Sequence, residues 1–258
     1  MASVKDIPIG LQLFSIRHEC EKDGGKNFPN VVRAVARMGY QGVEFAGYYG
    51  WSAEDIRKIL DDNGLPCCGA HVGLETLMGD ELKKSIDFHT ILGNKFLIVP
   101  GLAEKHRNSA AAWAATARLF SGIAEQLRPH GMRTGYHNHD VEFRPMDGKI
   151  PWDVLFGLAA KDVVMQLDIG NAIQGGADCA AILRKYPGRA GTLHIKEYGG
   201  TNEAVIGEGE VNWKELLPLI AQVGGTDWNI VEHERDPNRA LSDVDKCLQF
   251  LRRTIAEL

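Results

Sequence analysis

This sequence contains no hydrophobic run near the roughly 18 residues that a membrane-spanning helix requires. Its first residues, MASVKDIPIGLQLF, lack the apolar stretch of a secretory leader. Basic residues are scattered. Arg252 and Arg253 near the end form only a pair, and the formal net charge is −5. A general nucleic-acid surface needs clustered Lys and Arg to displace phosphate counterions, so this composition argues against that class of partner. Cysteine is sparse: Cys20, Cys67, Cys68, Cys179 and Cys247 are an odd number without zinc-type spacing. Cys67 and Cys68 face opposite sides of a predicted strand and cannot clamp one metal together. All five are expected to be reduced, the buried ones acting as small apolar residues. No phosphate-cradling G-x-G-x-x-G follows the first predicted strand, which weakens a dinucleotide-binding reading. Taken together, these absences predict a cytoplasmic protein that meets neither membrane nor nucleic acid.

What is present is a repeat of strand, short polar loop and amphipathic helix. Strands are predicted at 9–16, 42–45, 67–71, 95–99, 132–137, 163–167, 192–195 and 228–231. Helices are predicted at 28–38, 52–63, 80–92, 108–130, 152–160, 178–186, 213–223 and 241–257. Apolar residues in the helices recur at the three-to-four spacing of one buried face, as Ile56, Ile59 and Leu60 do in the second. Several helices stop at glycine, as at Gly39 and Gly93, where the chain needs positive φ. Parallel strands need crossovers, so alternating units imply a parallel sheet. Eight units without a linker, in 258 residues, predict one (β/α)8 TIM barrel domain spanning 1–258, near the roughly 250 residues typical of that fold.

In such a barrel the active site lies where the strands end. The sixth strand runs VVMQLDIGN into Asp168, the seventh (TLHIKE) carries His194, and the eighth (WNIVEHE) reaches Glu232. The fifth, MRTGYHNHDVEF, ends in His137, Asn138 and His139, with Glu142 just beyond. Oxygen and nitrogen donors without thiolate suit Mn²⁺, Co²⁺, Zn²⁺, Fe²⁺ or Mg²⁺ rather than a closed structural zinc. Each residue also has a plainer reading: Asp168 as a cap or ion-pair partner, His194 as a hydrogen-bonded barrel histidine. Glu232 is harder to explain that way, because a carboxylate after Asn-Ile-Val is partly buried and needs a partner. Four such residues on successive strand ends point to one shared ion. Glu44 and His71 are candidates to touch substrate or to support the ligands. Gln12 either bonds a ligand from inside the barrel or supports a loop. Lys196 is suited to hold an anionic or hydroxyl group. Tyr48, Tyr49 and Trp51 either stack on a sugar ring, with Trp51 the substrate-binding candidate, or pack their loop onto the barrel.

The segments QLFSIR, GYQGVEF, GYHNHDVEF, LDIGN, LHIKE, GEGEVNW and VEHE follow one another between Gln12 and Glu234. In these segments the chain resembles the sugar phosphate isomerase/epimerase superfamily, the xylose-isomerase-like TIM barrels. That superfamily includes inosose dehydratases, ketose 3-epimerases, hydroxypyruvate isomerases and endonuclease IV. The resemblance implies one divalent metal held by Glu, Asp, His and Glu from strands five to eight. Asp168, His194 and Glu232 match the last three places. At the first, counting from Gly131, His137 stands where relatives carry glutamate. Either His137 takes that role or Glu142 reaches back from the loop, and the strand spacing favours His137.

The activity implied is isomerisation or epimerisation of a small keto-sugar or polyol through an enediolate. There the metal would polarise a carbonyl and its neighbouring hydroxyl. Glu232 is the first candidate base, with His139 or Glu142 returning the proton. The alternative is loss of a β-substituent, which makes the enzyme a lyase, dehydratase or hydrolase on a 3-keto sugar or inosose. An endonuclease-IV-like repair enzyme needs three zinc ions and further His and Glu ligands, and the negative charge disfavours it. A catalytically inactive binding barrel is the remaining class. Relatives are often dimers or tetramers, so the resemblance also allows a homo-oligomer.

Overall fold

A computed structural model describes residues 3–202 and 204–258. Its strands are β1 (Ile9–Gln12), β2 (Gly42–Ala46), β3 (Cys67–His71), β4 (Phe96–Val99), β5 (Arg133–His137), β6 (Val164–Asp168), β7 (Thr192–Ile195) and β8 (Trp228–Val231). All pair in parallel with their chain neighbours, and β8 closes on β1 through Ile9–Asn229 and Leu11–Val231 partners. The chain is a single (β/α)8 TIM barrel. No described helix is long and apolar enough to cross a membrane.

The crossover helices are Phe28–Met38, Ala53–Asp62, Gly79–Leu92, Ala110–Leu127, Pro151–Leu158, Cys179–Lys185, Trp213–Leu219 and Ala240–Glu257. The second shows why they form. Ser52 accepts from the Asp55 N–H and caps the first turn. Ile56 and Leu60 are buried against the barrel, while Arg57 pairs with Asp61 and Lys58 with Asp62 on the wet face. Gly39 and Gly93 stop their helices in the left-handed region, at φ 98° and 70°. All five cysteines are buried and free.

Several boundaries differ from the sequence reading. The first strand ends at Gln12 instead of continuing to Ile16. The Gln12 side chain accepts from the Phe14 N–H and turns Leu13–Ile16 into a 3-10 helix. Two short helices were not foreseen, Arg17–Glu21 and Ile169–Gln174, the second starting directly at the end of β6. The helix predicted at 213–223 holds Pro218, which has no N–H to donate, and ends in a π turn over Ile220–Gly224.

The interior is layered. Near the strand starts Phe96, Ile98 and Val164 pack with Trp228. Closer to the strand ends the filling is polar: Gln12, Glu44, Gln166, Thr192 and His194 are all fully buried. Such groups tolerate burial only when paired. Their pairing sets the geometry of the site above them.

Candidate metal centre and substrate cavity

Gln166, in the middle of β6, is the hub of the polar layer. Its amide nitrogen donates to Glu44 Oε1 (2.8 Å) and Thr192 Oγ1 (2.9 Å). Its carbonyl oxygen accepts from His71 Nε2 (2.7 Å) and His137 Nδ1 (3.2 Å). The second contact fixes the His137 ring and leaves its Nε2 without a protein partner among the described residues. Glu44 Oε2 accepts from Gln12 Nε2 at 2.7 Å and from His194 Nε2 at 2.5 Å. Gly69 makes room for that carboxylate, because a Cβ there would lie 2.5 Å from Glu44 Oε1. The carboxylate on one nitrogen of His194 orients the ring so that the other, Nδ1, faces Glu232 Oε2 at 2.6 Å.

Above this layer one donor atom each from His137, Asp168, His194 and Glu232 lies within 4.8 Å of the others. A second, overlapping group joins His71 to His137 and His194. Asp168 Oδ1 accepts from the Asn171 N–H at 2.7 Å and caps the short helix that follows β6. Its other oxygen, Oδ2, is buried with no hydrogen-bond partner. A buried carboxylate oxygen without a donor is costly, and a cation is the partner that cures it. The donor set and the orphan oxygen therefore fit a divalent ion. Two imidazoles and two carboxylates match the chemistry of first-row divalent metals.

The electrostatics follow from burial and mutual charge. Burial drives the Asp168 carboxyl up to about 7, with Glu232 adding to the rise. Burial alone would lower His194, but Glu44 and Glu232 outweigh it and take the imidazole up to about 10. Burial opposes ionisation of Glu232 too, yet Lys196 and His194 hold its carboxyl well below the usual range. Burial, reinforced by His194 and His71, pushes His137 well below its ordinary value, so its imidazole is neutral and available as a donor.

A cavity of about 500 Å³ opens over the cluster, with His71, His137, His139, Glu232 and Phe14 in its walls. The His139 imidazole makes no hydrogen bond among the described residues, and its ring sits 5.2 Å from that of His137. Lys196, from just beyond β7, donates to Glu232 Oε1 (2.8 Å) and Glu234 Oε1 (2.9 Å) and lines an adjoining cavity.

Three expectations need correction. Glu142 does not reach the cluster: its oxygens accept from Tyr136 Oη (2.7 Å) and the His139 N–H (2.8 Å), and it is neither among the clustered donors nor in the cavity wall. Glu44 does not line the cavity, because it is fully buried beneath His194. Trp51 is spent on its loop: Nε1 donates to Gly25 O, and the ring packs near Phe28. Tyr48 and Tyr49 pack likewise, against Phe88 and Phe28. Two residues escaped the sequence reading. Gln166 carried a signal, a polar side chain inside the apolar run VVMQL. Phe14, a large apolar residue 37% exposed at the cavity wall, carried none beyond its place in QLFSIR.

Residues 32–254 match the model of the xylose isomerase-like TIM barrel family. The chain belongs to that family. This xylose isomerase-like barrel is 23% identical to the rhizopine catabolism protein MocC of Rhizobium meliloti, over 85% of the chain and 78% of that protein. It is 22% identical to an inosose dehydratase of Clostridium botulinum, over 91% of the chain and 92% of that protein. Its fold matches the crystal structure of a sugar phosphate isomerase/epimerase from Parabacteroides distasonis. The TM-score is 0.82 at 23% identity, covering 95% of this chain and 93% of that one.

Proposed function

We propose that this chain is a divalent-metal-dependent enzyme that removes a proton α to the carbonyl of a small polyhydroxy ketone and then expels a β-hydroxyl, a lyase-type dehydration. The observation that carries the proposal is what β5 delivers. It brings the imidazoles of His137 and His139 to the cavity, and the nearby carboxylate, Glu142, is turned away. Symmetrical proton exchange between paired carboxylates across a ketose, the expectation for an epimerase, therefore lacks one partner.

His137, Asp168, His194 and Glu232 would hold the ion. When bound, a divalent ion supplies Lewis-acid stabilisation of the negative charge that develops on the carbonyl oxygen. The remaining work belongs to the side chains. Glu232, with both oxygens engaged by His194 and Lys196, is held as a ligand. His139, with an imidazole on the cavity wall that makes no hydrogen bond among the described residues, is the group placed to carry the proton. It accepts the α-proton as the C–H electrons form a double bond between the α-carbon and the carbonyl carbon, and the carbonyl π electrons move onto its oxygen. Return of those electrons re-forms the carbonyl, shifts the double bond to the α and β carbons and breaks the β C–O bond. The proton on His139 passes to the departing hydroxyl, which leaves as water.

The inosose dehydratase relative supports a cyclic keto-polyol as substrate class. The Parabacteroides structure supports the second reading, in which the proton returns to carbon and the outcome is isomerisation or epimerisation. One experiment separates them. Protein loaded with Mn²⁺, Co²⁺ or Zn²⁺ is incubated with inososes and keto-sugars in heavy water, then followed by ultraviolet absorbance and mass spectrometry. Loss of water with a conjugated-enone absorbance supports the dehydratase. Deuterium gain without water loss supports the isomerase. No change in any substrate with a fully loaded protein sinks both.

A further inference from the structure

The cavity over the cluster is not the whole of the open space at this rim. A second cavity of about 480 Å³ lies on the other side of Glu232 and Glu234, which line both. Each alone falls within the roughly 300–1,000 Å³ of an ordinary small-molecule site. Together they offer far more room than one sugar ring fills.

The second lobe is a built feature of the barrel. Its outer wall is the segment after β7, and Glu197 anchors that segment. The Glu197 carboxylate is buried and accepts from the Tyr198, Gly207 and Val211 N–H groups (3.0, 2.7 and 3.1 Å) and from Trp213 Nε1 (2.9 Å). Arg235 ties the same segment by donating to Gly199 O at 2.8 Å and to Thr201 O.

The charge balance of the lobe identifies the chemistry of its occupant. Two basic side chains line it, Lys196 and Arg235. Lys196 is held by Glu232 and Glu234, and Arg235 by two carbonyls. Glu232 and Glu234 add negative charge at the junction. Lys196 sits between two carboxylates, which leaves the junction acidic, and Asn171, Gln174 and Tyr198 beside it offer neutral donors and acceptors that suit hydroxyl groups rather than a phosphate.

We propose that the substrate is a two-unit molecule: a polyhydroxy ring over the metal cluster, joined to a second neutral, hydroxylated or glycosidic unit seated in the lobe between Lys196 and Tyr198–Gly200. The identity of the first ring rests on the function proposed above. The second unit rests on the two-lobed shape and its charge alone.

The test uses calorimetric titration of the metal-loaded protein with ligands that lack a ketone, so that no turnover is needed. Methyl glucoside, cellobiose and glucose phosphate are compared. The expected result is that cellobiose binds about tenfold tighter than methyl glucoside, and that glucose phosphate gains nothing over methyl glucoside. Gln174, exposed at the end of the helix Ile169–Gln174, lines the lobe and is not one of the clustered donors. In Gln174→Trp the ratio between cellobiose and methyl glucoside is expected to fall towards one. Equal binding of the two sugars by the unmodified protein overturns the proposal, as does absence of binding by all three. A preference for glucose phosphate, or an unchanged ratio in Gln174→Trp, overturns it equally. Failure of the dehydratase reading shows separately, as absent turnover of keto substrates with the sugar preference intact.

Discussion

Asp168 divides its carboxylate between two tasks, since Oδ1 caps a helix and Oδ2 faces the donor cluster without a partner. Two substitutions separate these tasks. Asp168→Asn keeps a capping oxygen and removes the charge. It is expected to weaken metal binding by about a hundredfold or more while thermal stability of the metal-free protein barely changes. Asp168→Ala removes both and is expected to cost about 1 kcal/mol further in the metal-free protein. Metal titration and denaturant unfolding of both variants check this. Retained metal affinity in Asp168→Asn would remove the residue from the centre. His89 gives a test outside the site. It is 2% exposed, shares contacts with Tyr48 and Asn94, and burial pushes its imidazole down to about 4. The unfolded chain, with an ordinary histidine near 6.5, binds the extra proton first, so His89 contributes stability above about pH 6.5. That contribution is lost as pH falls towards 4 and amounts to about 3 kcal/mol in full. Urea unfolding at two pH values in this window is expected to show a smaller loss in His89→Gln than in the parent. At this scale the sequence was readable where chemistry leaves a donor type at a strand end, as for Asp168, His194 and Glu232. It was unreadable for Glu142, because the Tyr136 hydroxyl that captures it lies on the outward, helix-packed face of β5 instead of the face that carries His137.

The strands and helices were legible because period and punctuation agree: buried stripes, Ser52 as a cap, and glycines at helix ends. Errors arose where one side chain redirects the backbone, as Gln12 does beyond β1 and Pro218 within its helix. The segment following β7 shows the same limit. GEGEVNW was visible as a motif, but its organiser lies upstream of it in LHIKE. The donors to Glu197 come from residues up to 16 positions away, which no local pattern reveals. Removing this carboxylate leaves the buried Trp213 N–H and three part-buried backbone N–H groups unpaired. Glu197→Ala is therefore expected to cost about 2–4 kcal/mol and to expose the segment to cleavage by a glutamate-specific protease at Glu208 or Glu210. Glu197→Gln, which keeps acceptor capacity on one oxygen, should fall between the variant and the parent. Unchanged proteolysis in Glu197→Ala would show that packing of Val205, Ile206 and Trp213 alone holds the segment.

For the molecule as a whole, the four donors come from β5, β6, β7 and β8, which are consecutive staves of the closed barrel. An ion bound there ties half of the barrel together at its rim and binds only the folded chain. Metal removal must therefore lower stability by mass action, by about 2.7 kcal/mol when the free ion had been at a hundred times its dissociation constant. For a domain of about 250 residues this corresponds to a fall of roughly 5–10 °C in Tm. Scanning the protein before chelation, after chelation and after return of Mn²⁺, Co²⁺ or Zn²⁺ measures it. The decrease should be reversible and should leave far-ultraviolet circular dichroism unchanged at 25 °C, because the apolar layer of Phe96, Ile98, Val164 and Trp228 does not depend on the ion. The same scan on Asp168→Asn distinguishes this centre from metal bound elsewhere. A variant that still gains several degrees on metal addition would place the stabilising ion outside the strand ends, whereas a flat response ties the effect to the carboxylate of β6.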